Sequence, residues 1–579
     1  MTSVGKDDLA VSPSPESATG KEQGSSTKKD TRSREMSSSS FSSLVFSYKL
    51  AEKAVIDVLI TFFADPDSEL KHEPKRHSLR YAIVYDLKYA IAFVNSLEGL
   101  TALMLIFLIY INEAFGGGHL KRIIFCLVVA YACGLTILAI ASSHVFSESY
   151  IDSLIIIIGV IIVAVGRAGL KPFVEEFTDE QLEAHEPDRQ DINEKRVQAR
   201  RKKWHLFASV AGSLVAIPIY KISWNPRLIT TGWVMGITFV LFYLATPLYH
   251  KEDQAAATST RIAEEPFTSF TCIRVLWAAL LKRREPYPFS TDRFFLLNND
   301  GFFLNNNDEL ELWPQAKLLR WIDKAAIIEG HEEQETAGRL CSVTMVQETK
   351  YILKMVPMWS AFLVFGLVLS AGNTFYALQG IYLESADVLL VYLFLLRTIA
   401  REMVSNDLSP LCLLSKWFPE AKLKRNMMRI WGGMMISILC SAVAWWVEVR
   451  RLDIFENEYR DWMYSIPMSI WWLAPQFFLL GLMEGLAMDG LEEFTIDDDH
   501  LSRSMKKFLQ AINDFVVYGI GSALNILCIN SNMKLFLDTL NESRLDLYYK
   551  YLTIYGTTLN CVYLLFISIV IYRDRMQHK

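Results

Sequence analysis

The chain has 579 residues, 51% of them hydrophobic and 12% aromatic, with a mean hydropathy of +0.21 and a formal net charge of -6. A chain this apolar that still carries 21% charged residues must segregate the two, and apolar runs near the bilayer-spanning length of about 20 residues do alternate with short polar stretches. The slightly acidic balance supplies no basic field, which excludes nucleic acid as an expected partner.

In chain order, residues 1–42 are rich in Ser, Thr, Lys, Glu and Asp and too poor in large apolar side chains to offset ordering entropy, so they predict a disordered tail. They lack a basic segment followed by an apolar run and a small-residue cleavage site, which predicts no cleavable leader. Apolar segments follow at about 43–63, 88–111, 121–143, 151–170, 206–222 and 228–248, and a second set at about 353–380, 385–408, 428–448, 468–490, 508–530 and 548–572. The polar stretch between them, 251–352, is far longer than ordinary connections. This pattern predicts a cytosolic tail (1–42), an N-terminal six-helix bundle (43–250), a cytosolic linker (251–352) and a C-terminal six-helix bundle (353–579). No β-barrel alternation is visible, and unpaired backbone groups in hydrocarbon cost several kcal/mol each, so the spans are helices. The fold class is an all-α polytopic membrane protein of about twelve transmembrane helices in two bundles, with the lipid bilayer as its solvent.

Basic clusters at Arg196–Lys203, Lys422–Arg429 and Arg503–Lys507 fall on one side, which the positive-inside rule places in the cytosol together with both termini. Lys71, Lys75, Arg76 and Arg80 oppose this assignment, while a sequon at Asn541-Glu542-Ser543 in an outside loop supports it. The linker segment 266–286 has apolar residues at helical spacing and a basic end; it suits either the inner membrane surface or packing on the bundles. The eight cysteines form no CxxC pair and read as small buried hydrophobes rather than a metal or disulfide framework.

A charge near the bilayer centre costs about 2.5–3.5 kcal/mol even on forgiving scales, so intramembrane charges are the functional pointers. Lys171 closes the fourth segment in GRAGLKPF, where missing side-chain bulk suits an anionic group, and Arg167 shares its helix face. Arg167 suits an anion site and a phospholipid head equally. Glu484 lies inside the tenth segment. Because they belong to opposite halves, Lys171 and Glu484 are expected to form an ion pair across a central cavity; the plainer alternative is a Lys171 that snorkels to the headgroups. Asp489 stands nearer the inner end of the tenth segment. The first segment carries Lys49, Glu52, Lys53 and Asp57, more charge than a lipid-facing helix tolerates, with mutual neutralisation as the structural alternative. Walker A, GxGxxG, HExxH and GxSxG motifs are absent, so no enzyme, cofactor or ATP-driven pump is expected.

Several phrases resemble the plant nitrate and peptide transporter family, within the proton-dependent oligopeptide transporters of the major facilitator superfamily. LRWIDKAAII (319–328) and RLCSVTMVQETKYILKMVPMW (339–359) are similar to its linker phrases, and GNTFYALQG (372–380) to the end of its seventh helix. GRAGLKPFVEEFTDEQL (166–182), EGLAMDGLEEF (484–494) and FVNSLEG (93–99) with NEAFGGGH (112–119) follow the family's order. The resemblance implies a twelve-helix alternating-access carrier in the plasma or vacuolar membrane, with Lys171 and Glu484 at the cavity-facing positions of helices four and ten.

The chain departs from the family where protons are handled. The ExxER or ExxEK signature of the first helix becomes Val45, Tyr48 and Lys49, which keeps the cation and loses both carboxylates. Glu52, one turn after Tyr48, is a substitute proton carrier, and with Lys49 it forms the proton-coupling pair; a facilitator without protons is the other reading. Leu369 stands where nitrate carriers can have histidine, and His119 replaces a basic residue at the exit of the second helix. The expected function is secondary transport of a small anionic or zwitterionic solute through Lys171, Glu484 and Arg167; the alternative is a non-transporting, transporter-like receptor.

Overall fold

The computed structural model describes residues 44–57, 59–64, 87–114, 120–142, 149–183, 206–245, 269–287, 294, 302–304, 310–312, 314, 317–328, 339–384, 386–405, 422–458, 466–496, 501–532, 534–537 and 540–577. The expected tail and the basic loops at 71–80 and 196–203 lie outside them. Helices occur at all twelve expected positions: α1 (44–57, continued as Leu59–Ala64), α2 (Leu87–Ala114), α3 (Leu120–Ser142), α4 (Ser149–Glu183), α5 (Leu206–Tyr220) and α6 (Trp224–Ala245) precede the linker. After it come α7 (Val343–Ile381), α8 (Ala386–Ser405), α9 (Lys422–Glu458), α10 (Ala474–Ile496), α11 (Arg503–Ser531) and α12 (Leu545–Gln577).

Among the described residues, 8 helices are long and apolar enough to cross a membrane. Of the other four, α5 is short, and α1 and α8 carry charge. Phe107, Trp233, Leu244, Leu527 and Val562 face outward, as side chains in contact with lipid do, and the chain is an all-α polytopic membrane protein.

Two departures from regular helix matter later. A π-helical turn covers Glu52–Ile56 in α1, and a second covers Phe515–Ile520 in α11. Such turns insert one residue, re-aim the side chains around it and recur at functional positions.

Glycines set the closest helix contacts. A Cβ on Gly366 of α7 would stand 2.5 Å from the carbonyl oxygen of Val517, and one on Gly521 would meet Gly366 in turn, so α7 and α11 touch backbone to backbone. The two halves meet where Ser370 of α7 donates to Asn95 Oδ1 of α2 at 2.5 Å, and where Gly99 of α2 lies against Gly519 of α11. At the far end of α2, Lys507 of α11 pairs with Glu113 at 3.3 Å and with Glu176 of α4 at 2.5 Å. Asn95 and Glu113 are eighteen residues, or about 27 Å, apart along α2, so contacts between the halves exist on both sides of the hydrocarbon centre.

The sequon has a folding role. Asn541 Oδ1 accepts from Arg451 Nη1 at 2.5 Å, and the buried Ser543 hydroxyl accepts from the Leu537 amide at 3.0 Å. Arg451, fully buried, is also held by Glu448 at 2.7 Å, and Gln379 donates to Glu448 at 2.6 Å. This polar knot ties α7, α9 and the approach to α12.

The linker forms a second core. A linker helix (Ser269–Leu281) packs Val275, Ala278 and Ala279 against Ile322, Ala325 and Ala326 of a 3-10 helix (Lys317–Ala326) and against Val346 at the start of α7. Strands β1 (Phe302–Leu304) and β2 (Leu310–Leu312) pair antiparallel beside it. Asp323 and Lys350, one from each of the two linker phrases, are both fully buried and 2.9 Å apart. Lys350 also donates to the Leu312 carbonyl at 2.7 Å, and Asp323 accepts from the Leu312 amide at 3.3 Å. Burial pushes the Cys272 thiol up to about 11, so it stays protonated and inert at neutral pH.

Removing one member of a buried pair leaves the other charge uncompensated. Lys350→Ala or Asp323→Ala is therefore expected to cost about 3–5 kcal/mol. In detergent this reads as a lowered melting temperature, whereas a double replacement by apolar residues of similar volume recovers most of the loss. A thiolate-selective reagent at pH 7.5 should leave Cys272 unmodified in the folded protein, and rapid labelling there would contradict its burial.

Candidate functional site

Charges in the spans gather into two clusters, one in each half. In the first, Glu52 at the π turn of α1 accepts from the Tyr48 hydroxyl at 3.0 Å and from Lys49 at 3.2 Å, both on its own helix. Arg167 of α4 reaches across to Glu52 at 3.4 Å and to Glu98 of α2 at 2.8 Å. Gly166 allows this reach: a Cβ there would collide with the Tyr131 backbone, so α4 sits against α3 and projects Arg167 between α1 and α2. Tyr131 is fully buried edge-on to Tyr48, with ring centroids 6.5 Å apart, and its hydroxyl has no partner among the described residues. Lys53 and Asp57 pair separately at 2.8 Å.

In the second cluster Glu484 of α10 is 3% exposed and holds two guanidiniums of α8, Arg397 at 2.9 Å and Arg401 at 2.8 Å. The hydroxyl of Tyr518, inside the π turn of α11, donates to the same carboxylate at 2.9 Å. The sequence of α10 explains the approach. Gly481 and Gly485 flank Glu484, and a Cβ on either would run into the carbonyl oxygens of Arg397 and Arg401. Two missing side chains thus bring α8 close enough for both arginines to reach one carboxylate.

Lys171 lies one turn beyond Arg167 on α4 and lines a small cavity with Leu44, Val45, Tyr48, Leu170, Val174 and Glu175. Among the described residues it makes no hydrogen bond or ion pair. It lies within electrostatic range of Lys49 in the first cluster, of Arg401 in the second, and of Glu175, Glu492 and Asp514. Asp57 and Arg397 also sense one another, so the clusters face each other across the boundary between halves.

The structure therefore brings together most residues expected from sequence, with different partners. Lys171 does not pair with Glu484, because α8 packs against α10 through Gly481 and Gly485 and presents two cations at closer range. Arg167 meets Glu52 and Glu98 rather than a lipid head. Lys49 and Glu52 neutralise each other within α1 as the structural alternative held, with Arg167 as a third member. Asp489 is 3.4 Å from Arg429, which also holds Glu493 at 2.8 Å.

Sequence reasoning missed Glu98, Arg397, Arg401 and Tyr518. Two signals were available: Glu98 stands alone inside an apolar helix, and Arg397 and Arg401 repeat at i and i+4 within the eighth apolar segment. Tyr518 offers none, because its role depends on the π turn.

These features define a polytopic helical membrane protein with opposed intramembrane charge clusters, the class to which secondary transporters belong. The sequence profile of the POT family matches residues 121–389. The chain is 26% identical over 498 residues to Protein NRT1/PTR FAMILY 5.6 of Arabidopsis thaliana, covering 81% of this chain and 82% of that protein. To Protein NRT1/PTR FAMILY 5.5 of the same plant it is 27% identical over 520 residues, covering 85% and 91%. Its fold is similar to the POT family transporter PepTSo, with a TM-score of 0.60 at 13% identity over 91% of this chain and 98% of that one. A POT family transporter in complex with 5-aminolevulinic acid superposes with a TM-score of 0.54 at 9% identity, over 92% and 96%. The family profile and these relatives agree with the resemblance to the plant nitrate and peptide transporters read from its phrases.

The two clusters rank their members. Glu484→Ala leaves two guanidiniums without a counter-charge and is expected to lower stability by about 3–5 kcal/mol. Arg397→Ala, at 12% exposure, should cost more than Arg401→Ala, at 33%. Melting curves of the three purified variants check the order, and equal losses for the two arginines would count against the described geometry.

Proposed function

We propose that this protein is a secondary transporter that moves a small anionic or zwitterionic solute by alternating access between its two halves, 43–250 and 353–579. The linker 251–352 and both termini lie in the cytosol in this reading. The observation that carries it is Lys171, which forms no ion pair among the described residues and lines a small cavity between α1 and α4, beside the first cluster and within electrostatic range of Arg401 in the second, while the clusters' own charges are already matched. A solute carboxylate or comparable anionic group supplies the missing partner, and the carboxylates of Glu175, Glu492 and Asp514 nearby accommodate an amino group of the same solute. A charge left partly unmatched is tolerable only where water or solute reaches it. The names of the relatives and the zwitterion bound to one neighbour agree with this solute class.

Arg167 and Glu484 act in this reading as reserves of charge held by neighbours until the halves move. For proton coupling, Glu52 is held by Lys49 and shares Arg167 with Glu98. Protonation of either carboxylate releases part of the Arg167 guanidinium toward Lys171 and the solute. This route uses Glu52 in place of the two carboxylates absent from the start of α1.

Uptake into proteoliposomes tests the reading, with nitrate, a dipeptide and 5-aminolevulinic acid as solutes and an imposed pH gradient. Losing a charge-assisted contact costs about 1.5–3 kcal/mol, so Lys171→Ala should slow uptake about tenfold or more, while Lys171→Arg retains part of it. Uptake that ignores the gradient removes symport and leaves a facilitator. Binding without flux, indifferent to Lys171→Ala, would favour a receptor.

A further inference from the structure

The linker helix Ser269–Leu281 has two apolar faces, and the fold uses one. Val275, Ala278 and Ala279 are fully buried in the linker core, followed by Lys282, whose ammonium donates to the Ile327 carbonyl at 2.5 Å. On the other side Ile273, Trp277, Leu280 and Leu281 recur at i, i+4, i+7 and i+8 and are 65%, 62%, 54% and 44% exposed. The adjoining 3-10 helix adds Leu318, 90% exposed. A contiguous patch of this kind on a polar module marks a contact surface.

Charge and position identify what covers it. The helix contains no carboxylate, and after the buried Lys282 come Arg283 and Arg284, both exposed, and then Glu285, so the excess of charge at this end is positive. Arg274 donates to the Leu340 carbonyl at 3.2 Å, Cys272 lies beside Thr349, and Val275 packs in one core with Val346, which fixes the helix beside the first two turns of α7. Val356, an exposed apolar residue of α7, is seven residues, or about 10 Å, further along. That distance is on the scale of the headgroup layer that flanks the hydrocarbon core. Residues 1–42, the long polar segment of this chain, offer few apolar groups to match the patch. Tryptophan beside arginine is the composition of helices that lie in an interface facing anionic lipid.

We infer that the linker helix docks on the anionic cytosolic surface of the membrane, with Ile273, Trp277 and Leu280 among the headgroups and Arg283 and Arg284 on lipid phosphates. The linker then travels with α7 while remaining in contact with the bilayer. The inference rests on the proposed cytosolic placement of the linker but not on transport.

The full-length protein is reconstituted at one copy per nanodisc in phosphatidylcholine with phosphatidylglycerol, with or without bromine on the acyl chains near the headgroup. Tryptophan emission of the wild type minus that of Trp277→Phe isolates Trp277. Bromolipid is expected to remove at least half of this difference signal, and Arg283→Glu/Arg284→Glu to weaken the quenching at least twofold. A difference signal that ignores bromolipid but responds to aqueous iodide would overturn the inference. So would a signal shielded from iodide only at several copies per disc, which would assign the patch to a second copy. Retained melting temperatures of the variants separate these outcomes from misfolding, and since no uptake is measured, failure of transport leaves the readout intact.

Discussion

A carboxylate buried in hydrocarbon has to find its counter-charge within the same few ångströms, and Glu484 does so with Arg397 and Arg401. Much of the C-terminal half follows from that requirement. The arginines make α8 too polar to pass as a lipid-facing span, the glycines on either side of Glu484 let α8 come close, and the π turn of α11 delivers the Tyr518 hydroxyl to the same oxygens. The N-terminal half solves the same problem with Glu52, Glu98 and Arg167, again beside a π turn and again through a glycine contact. Charge neutralisation inside each half leaves Lys171 distinct.

The two halves are fastened differently from their interiors. Inside each half the contacts are buried ion pairs and large apolar side chains, which resist separation. Between them lie a serine–asparagine hydrogen bond, a glycine contact and the Lys507 bridge to Glu113 and Glu176, beside apolar residues of a core that is continuous through both halves. Lys507 is 20% exposed, and partly solvated pairs of this kind contribute little net stability. The linker core, closed by Asp323 and Lys350, is tied to α7 because Lys350 belongs to α7 itself.

How much of this was legible beforehand depended on whether the deciding contact was local. The twelve helical positions were readable, since apolar runs of bilayer length leave the backbone no alternative to helix. Lys49 with Glu52 was readable too, being one turn apart on a single helix. The pairing of Lys171 with Glu484 was expected and is not formed, because the residues that intervene come from α8, a helix whose depth and rotation are set by Gly481 and Gly485. The packing role of Asn541 was not readable for the same reason: its side-chain oxygen accepts from Arg451, ninety positions away.

The sequence by itself determined that this chain crosses a membrane as helices, that a long polar stretch separates two sets of them, and that α1, α4 and α10 carry charges inside the spans. Hydrophobic transfer acts on each segment separately, so composition alone suffices for that much. Which cation neutralises which carboxylate was decided only by tertiary packing. Electrostatic pairing is a matter of a few ångströms between groups tens to hundreds of residues apart, and those distances follow from glycine contacts and π turns whose effect exists only once the helices stand side by side.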